Sequence, residues 1–303
     1  HSGAGRISRL KMNTMSLFES NDSSGDISIM DMYEGKEIVK TVKKVSLEEL
    51  ANLIIRGGWP ANINVAKDKY GLMPKYYINS ILEKDIYESK NVDIIKMQKL
   101  LKSLARNEST VVSNNKLIKD ISDNDDLNID KRTVSDYIEI LEKLNLLSNQ
   151  LSYSSNYRSP ERVGKNVKRH FADPSLAAAL LNMNSSKLID DLKTFGFLFE
   201  ALVERDLKIY MDYLGGNLYH FRDNVNGLEV DSILEFENGE YAAVEIKLGF
   251  NQYKEACESL LKFQNNVTKK PKFMCVICGY NENIVKDKET GIYIIPITAL
   301  KPE

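Results

Sequence analysis

Through the first two thirds of the chain, apolar residues recur at three- and four-residue steps; towards the C-terminus they alternate with polar ones. The first period predicts helices with one buried face, the second predicts half-buried strands. Leu47–Arg56 fits a helix, with Ser46 as its N-cap and Glu49 completing a capping box. Gly57-Gly58-Trp59-Pro60 stops it, with Trp59 as a packing plug. A second amphipathic helix is predicted over Lys75–Ser89, with Tyr76, Ile78, Ile81, Leu82 and Ile86 inward. Upstream, residues 1–35 read as loop, with strand character only over Ile27–Met30.

From Val92 the pattern is that of a small helical module. Helices are predicted over Ile94–Arg106, Asn115–Ile121 and Thr133–Leu147, the last with Val134, Tyr137, Ile138, Leu141 and Leu144 on one face. Leu151–Tyr153 and Val167–Ala172 can then pair around the loop Ser154–Asn166. Three helices followed by a hairpin is the winged-helix order, which generic helical bundles partly share. Asp173-Pro174 marks a new start, Asp as cap and Pro as first helical residue. Helices Ser175–Leu181 and Thr194–Tyr213 lead into strands Leu218–Arg222, Glu229–Phe236 and Tyr241–Leu248. A helix Asn251–Phe263 and strands Phe273–Ile277 and Ile292–Ile297 follow. This order describes an α/β fold with a mixed sheet. The polar stretch Asn182–Lys187 is the expected hinge between the middle and C-terminal parts.

Composition narrows the classes. At 303 residues and 28% charged the chain suits about two globular domains. Forty-one Lys and Arg against forty-three Asp and Glu exclude a globally basic nucleic-acid coat but permit a local basic patch. Cys257, Cys275 and Cys278 form no disulfide framework and suit a reducing cytoplasm. Cys275 and Cys278, three apart in a predicted strand, point to opposite faces and read as buried thiols rather than a metal knuckle. His170 and His220 have no sequence partner that would mark them as catalytic. No apolar run is long enough for a membrane span.

The candidate chemistry lies in one hairpin. A two-residue turn at Asn238-Gly239 would put Asp231 opposite Ile246, away from Glu245. A three-residue loop, Glu237-Asn238-Gly239 with Gly239 left-handed, pairs Phe236 with Glu240 and Asp231 with Glu245. Only the second puts Val230, Leu234 and Phe236 on one face with Ala242, Val244, Ile246 and Leu248. Asp231, Glu245 and Lys247 then cluster on the other. Two carboxylates and an ammonium suit a divalent metal with hard oxygen ligands, Mg2+ above all, with Lys247 orienting water or stabilising developing charge. The plainer alternative is a solvated face carrying a cross-strand charge pair.

Asp-x13-Glu-x-Lys across a hairpin, after a helix bearing Glu200 in Gly196-Phe197-Leu198-Phe199-Glu200, resembles the PD-(D/E)XK nuclease superfamily, the restriction-endonuclease-like fold. That resemblance implies Asp231 and Glu245 as metal-binding acids, Lys247 as the family lysine, and Glu200 as the acid of the first helix. Val230 stands where the family name has proline. A wider resemblance runs through Ser2-Gly3-Ala4-Gly5-Arg6-Ile7, Met15-Ser16-Leu17-Phe18-Glu19-Ser20, Arg56-Gly57-Gly58-Trp59-Pro60, Lys84-Asp85-Ile86 and Phe171-Ala172-Asp173. It continues through Gly196-x-Leu198-Phe199-Glu200, Phe221-Arg222-Asp223 and Val244-Glu245-Ile246-Lys247. The string looks like the prokaryotic AAA-type ATPases that carry a C-terminal domain of unknown function, in which a P-loop domain precedes a winged helix and a nuclease-like domain.

That likeness implies a C-terminal part: residues 1–45 as the end of the ATPase core, 46–91 as a helical lid or connector, 92–174 as the winged helix and 175–303 as the nuclease-like domain. His1 would be a cut within a domain, and self-association would run through the ATPase core. No GxxxxGK(S/T) is present, so ATP is expected only in the intact protein. Arg6, Arg9 and Arg56 are candidate nucleotide sensors, against the reading of Arg6 and Arg9 as a solvated basic loop. Lys131, Arg132, Arg158, Arg162, Lys165, Lys168 and Arg169 surround the long helix and the wing, where phosphate contacts to DNA are expected. Asp136, Glu139 and Glu142 argue against deep insertion of that helix in a groove. The alternative to a nuclease is a non-catalytic interaction module that keeps the nuclease fold as a scaffold.

Overall fold

The computed structural model describes residues 6, 11–86, 92–122, 129–164, 166–223 and 225–303. β1 (Ile27–Ser28) passes directly into α1 (Ile29–Tyr33), where strand is predicted to continue. The cause is a local cap: Ser28 Oγ accepts the Asp31 N–H, and the Asp31 carboxylate accepts the Ser28 N–H. β2 (Lys40–Thr41) precedes α2 (Leu47–Arg56), whose Ser46–Glu49 capping box is in place. α3 (Leu72–Ser80) continues as a wide-turned segment over Ile81–Ile86. Ile78, Ile81, Leu82 and Ile86 are buried as expected, but Tyr76 is exposed. Tyr76 lies two residues from Ile78, on the far side of the helix. The end of the predicted helix, at residues 87–89, lies outside the described residues.

The middle helices are α4 (Ile94–Arg106), α5 (Asn114–Ser122) and α6 (Lys131–Lys143), with β3 (Thr110–Val111) between the first two. α6 begins earlier and ends earlier than predicted. Asp130 caps it through the Thr133 N–H, and Asn145 turns the chain with φ +55° so that Leu146 and Leu147 enter the core. β4 (Lys168–Arg169) pairs antiparallel with β3, and bridges join Leu147 to Phe171 and Gln150 to Lys168. The segment expected to form the first arm of the hairpin, Leu151–Tyr153, bonds elsewhere. The Tyr153 N–H donates to His220 O and the His220 N–H to Leu151 O. The helical module is thereby fastened to the C-terminal sheet.

α7 (Pro174–Leu180), capped by Asp173, and α8 (Ser185–Asp190) precede the long α9 (Leu192–Tyr213). The expected hinge at Asn182–Lys187 is a turn at Asn182 followed by the Asn184 cap of α8, which packs on α2 and α9. Then come β5 (Asn217–Asp223), β6 (Leu228–Glu235), β7 (Tyr241–Gly249), α10 (Tyr253–Asn266), β8 (Met274–Tyr280), β9 (Asn283–Lys286), β10 (Tyr293–Pro296) and β11 (Leu300–Lys301). The seven-stranded sheet has the order β2-β9-β10-β8-β7-β6-β5. β7, β8 and β10 run parallel and the other pairs antiparallel, a mixed α/β fold as the pattern predicts.

Both short strands of the N-terminal segment belong to this unit. β2 extends the sheet edge and β1 pairs in parallel with β11. Met15 N–H donates to Gly58 O, and a Cβ on Gly58 would fall 2.0 Å from Met15 O, so only glycine admits this crossing. One face of the sheet packs Leu234, Val244, Ile246 and Ile277 against α9 and the helical module. The other packs Val230, Ile233, Tyr241 and Val276 against Leu260 and Phe263 of α10. Cys275 and Cys278 fall into different cores, as their spacing predicts, and all three cysteines are buried and free. Among the described residues no helix is long and apolar enough to cross a membrane.

Candidate active site

The hairpin adopts the three-residue loop. The Phe236 N–H donates to Glu240 O, Gly239 has φ +76°, and the register pairs Ser232 with Val244 and Glu235 with Tyr241. One expectation fails within it. Val230 faces the α10 core rather than joining Leu234 and Phe236. Between the pairs Tyr219–Ile233 and Phe221–Val230, β6 has one residue more than β5, a bulge at Asp231–Ser232 opposite His220. A bulge bends its strand and re-aims its side chains. Here the described β6–β7 ladder ends at Ser232–Val244, and the Asp231 carboxylate accepts the next N–H, that of Ile246, at 2.8 Å.

Lys247 closes the cluster. Its Nζ lies 2.7 Å from Glu245 Oε2 and 3.5 Å from Asp231 Oδ2, so both carboxylates converge on one cation. Ser259 of α10 stands 3.4 Å from the other Glu245 oxygen. Burial pushes the Glu245 carboxyl up, and the neighbouring Asp231 adds to it. The Lys247 ammonium is held well above its ordinary range because Asp231 and Glu245 outweigh its burial.

Glu200 is brought to the same end of the sheet, but its partner comes from the helical module. Lys168 Nζ contacts Glu200 Oε1, lies 2.9 Å from Glu204 Oε1, and donates to Asp231 O at 3.3 Å. Beside it, His170 Nδ1 is 3.1 Å from Glu108 Oε1, and Nε2 makes an ion-pair contact of 2.8 Å with Glu204 Oε2. Ser232 Oγ adds a contact to Glu204 at 3.2 Å. Burial raises the Glu200 carboxyl, whereas His170 and Lys168 override burial and hold Glu204 low. His170 is pushed up to about 9: burial opposes this, and Glu204 and Glu108 outweigh it. Sequence reasoning singled out neither Glu204 nor Glu108, and left His170 without a partner. The usable signal was spacing: Glu200 and Glu204 are one helical turn apart, and Lys168 and His170 are two residues apart in an extended segment.

The expected nucleic-acid contacts divide. Lys131, Arg132 and Arg158 are exposed. Lys168 is instead 3% exposed and spent on carboxylates. Arg162 is turned inward, with both guanidinium nitrogens on Glu235 at 3.1 and 2.7 Å and its plane against Tyr153, Tyr157 and Tyr219. Arg169 is partly buried and donates to Asn114. Lys165 lies outside the described residues, as does Arg9 among the nucleotide-sensing candidates; Arg6 is exposed. Arg56 is no free sensor: it is 6% exposed and bonded to Asp22, Ser20 and Gly57 O.

Among the described residues no three carboxylate, imidazole or thiol groups converge as ligands of one metal ion. Asp231 and Glu245 do converge as a pair, through their common contact with Lys247. A pair of carboxylates, with water and substrate phosphate completing the shell, is the donor set that Mg2+ accepts.

No curated protein matches the chain. Residues 47–187 match a family described as a domain of unknown function, DUF8612, and residues 195–300 match another, DUF4143. Over residues 195–300, which carry α9, the hairpin and the acidic cluster, the chain is therefore similar to a domain typically found at the C-terminus of AAA-type ATPases.

Proposed function

We propose that this chain is the C-terminal part of an AAA-type ATP-binding protein acting on DNA, and that its α/β unit hydrolyses phosphodiester bonds. The carrying observation is the convergence of Asp231 and Glu245 on Lys247 Nζ across the bulged hairpin. Asp231 and Glu245 would hold Mg2+, which supplies Lewis-acid polarisation of a phosphate and a more acidic bound water. Lys247, 25% exposed at its side chain and charged, would donate to a phosphate oxygen or an attacking water. The Ile246 N–H fixes the Asp231 carboxylate, so the acid is preorganised by backbone rather than by a mobile side chain. DNA as the partner draws its support from the exposed cations Lys131, Arg132 and Arg158. Nucleotide turnover belongs to the intact protein, since the sequence has no phosphate-binding loop.

The test is incubation of the chain with single- and double-stranded DNA and millimolar Mg2+ or Mn2+, beside an Asp231→Ala control. Metal-dependent cleavage that disappears in the control is expected. Cleavage that survives Asp231→Ala would remove the assigned site. A second reading, a non-catalytic module using the nuclease fold as a scaffold, is favoured by the engagement of Glu200 with Lys168. It predicts DNA or protein retention with no metal-dependent cleavage.

A further inference from the structure

The ammonium of Lys168 has three donors, and it faces three oxygens: Glu200 Oε1, Glu204 Oε1 and Asp231 O. Two carboxylates and a backbone carbonyl are the donor set of a hard-cation site. Lys168 therefore fills an oxygen cage built by α9 and β6, while itself belonging to β4 of the helical module. Asp231 joins the two halves, its carbonyl on Lys168 and its carboxylate beside Lys247 and Glu245.

The seam that delivers Lys168 is incompletely bonded. β4 spans two residues and is held beside Gln150 by the pair Gln150 N–H to Lys168 O and Lys168 N–H to Gln150 O. Around it, Gln150 Nε2 and Oε1, Ser152 Oγ, Arg169 Nε and His220 Nδ1 are buried with no protein hydrogen-bond partner among the described residues. A cavity of about 50 Å3 bordered by Gln150, His170 and Glu204 follows the same seam. Groups that find no protein partner across the seam lower the cost of separating it.

We infer that Lys168 is an internal cation that competes with a divalent metal ion for Glu200, so that docking of the helical module and metal loading of the carboxylate site oppose each other. The inference rests on the proposed metal role of Asp231 and Glu245. With β4 docked, Glu200 is neutralised by Lys168 and only the Asp231–Glu245 pair faces a metal. With β4 withdrawn, the Glu200 carboxylate is released from Lys168 and is open to a bound cation. Linkage makes the effect reciprocal: whatever factor docking costs in metal affinity, metal costs in docking.

The experiment is Mn2+ binding to the full chain, read by electron paramagnetic resonance without substrate. Lys168→Met, which keeps the apolar stem, should reach half-saturation at Mn2+ concentrations about tenfold lower than wild type, within the usual range of such couplings. Equal half-saturation in the two proteins overturns the competition while leaving the metal site standing. Binding by neither overturns the metal reading and the competition with it. Should Lys168→Met not fold, hydrogen exchange of wild-type amides 167–171 decides: exchange quickened by saturating Mn2+ is the expected result, and unchanged exchange overturns the inference.

Discussion

Lys168 Nζ and Glu204 Oε1 stand 2.9 Å apart with side chains 4% and 3% exposed, joining a strand of the helical module to the longest helix of the α/β unit. His170, two residues on, meets the other Glu204 oxygen. One carboxylate thus faces two cations two residues apart, and removing it would leave both in an apolar interior without that counter-charge.

Removing Glu204 should therefore be costly. Glu204→Ala leaves Lys168 and His170 short of a counter-charge in the interior, where loss of one partner of a buried ion pair costs roughly 3–5 kcal/mol. Urea unfolding of the variant beside wild type measures this. A loss under about 1 kcal/mol, the scale of a solvated pair, would mean that the network contributes no more than a surface contact.

The same network sets a pH dependence. His170 titrates near 9 when folded and near its ordinary value of 6.5 when unfolded. A raised pKa means that the folded state holds the proton more tightly, so its stabilisation is complete below the unfolded value and fades as pH rises through 9. Glu200 and Glu245, also raised, act in the same direction from the ordinary carboxylate range upward. Glu204, lowered, acts oppositely and loses its contribution only in acid. Melting temperature should fall between pH 6.5 and 9, and His170→Gln should flatten that fall. A melting temperature that rises across this interval would contradict the assigned charges.

Arg162 and Arg158 should separate in their effects. Arg162→Ala breaks a two-bond pair with buried Glu235 and removes stacking on three tyrosines, a loss of about 2 kcal/mol for charge-assisted bonds. Arg158→Ala, on an exposed site, should leave unfolding unchanged within about 0.5 kcal/mol and reduce the salt slope of DNA retention by about one. Fluorescence anisotropy with labelled duplex across a salt series checks the second part. An unchanged salt slope in Arg158→Ala would remove that residue from the DNA contact.

Much of the architecture was legible because local rules act alone there. The capping box of α2 and the loop Glu237–Gly239 depend on residues within a turn of one another, and both form as the sequence dictates. What escaped depends on distant chain. The edge strand β2 exists only because β9 lies beside it, and Leu151–Tyr153 left its expected partner because β5 offered His220. Within the site, the parity of β6 predicted the meeting of Asp231, Glu245 and Lys247 but placed Val230 on the wrong face, since a bulge leaves no trace in alternation. A basic residue near a wing is ordinarily solvated, so the sequence places Lys168 among the cations expected to contact DNA. Its burial comes from Glu200 and Glu204, on a helix thirty-two and thirty-six residues later.

The central claim, that Asp231 and Glu245 form one divalent-metal site, is tested most directly by Mn2+ stoichiometry in wild type, Asp231→Asn and Glu245→Gln. Both substitutions keep side-chain volume while removing a charge. One bound ion per wild-type chain, lost in each variant, is the predicted result; an ion retained by both variants, or none in wild type, would contradict it.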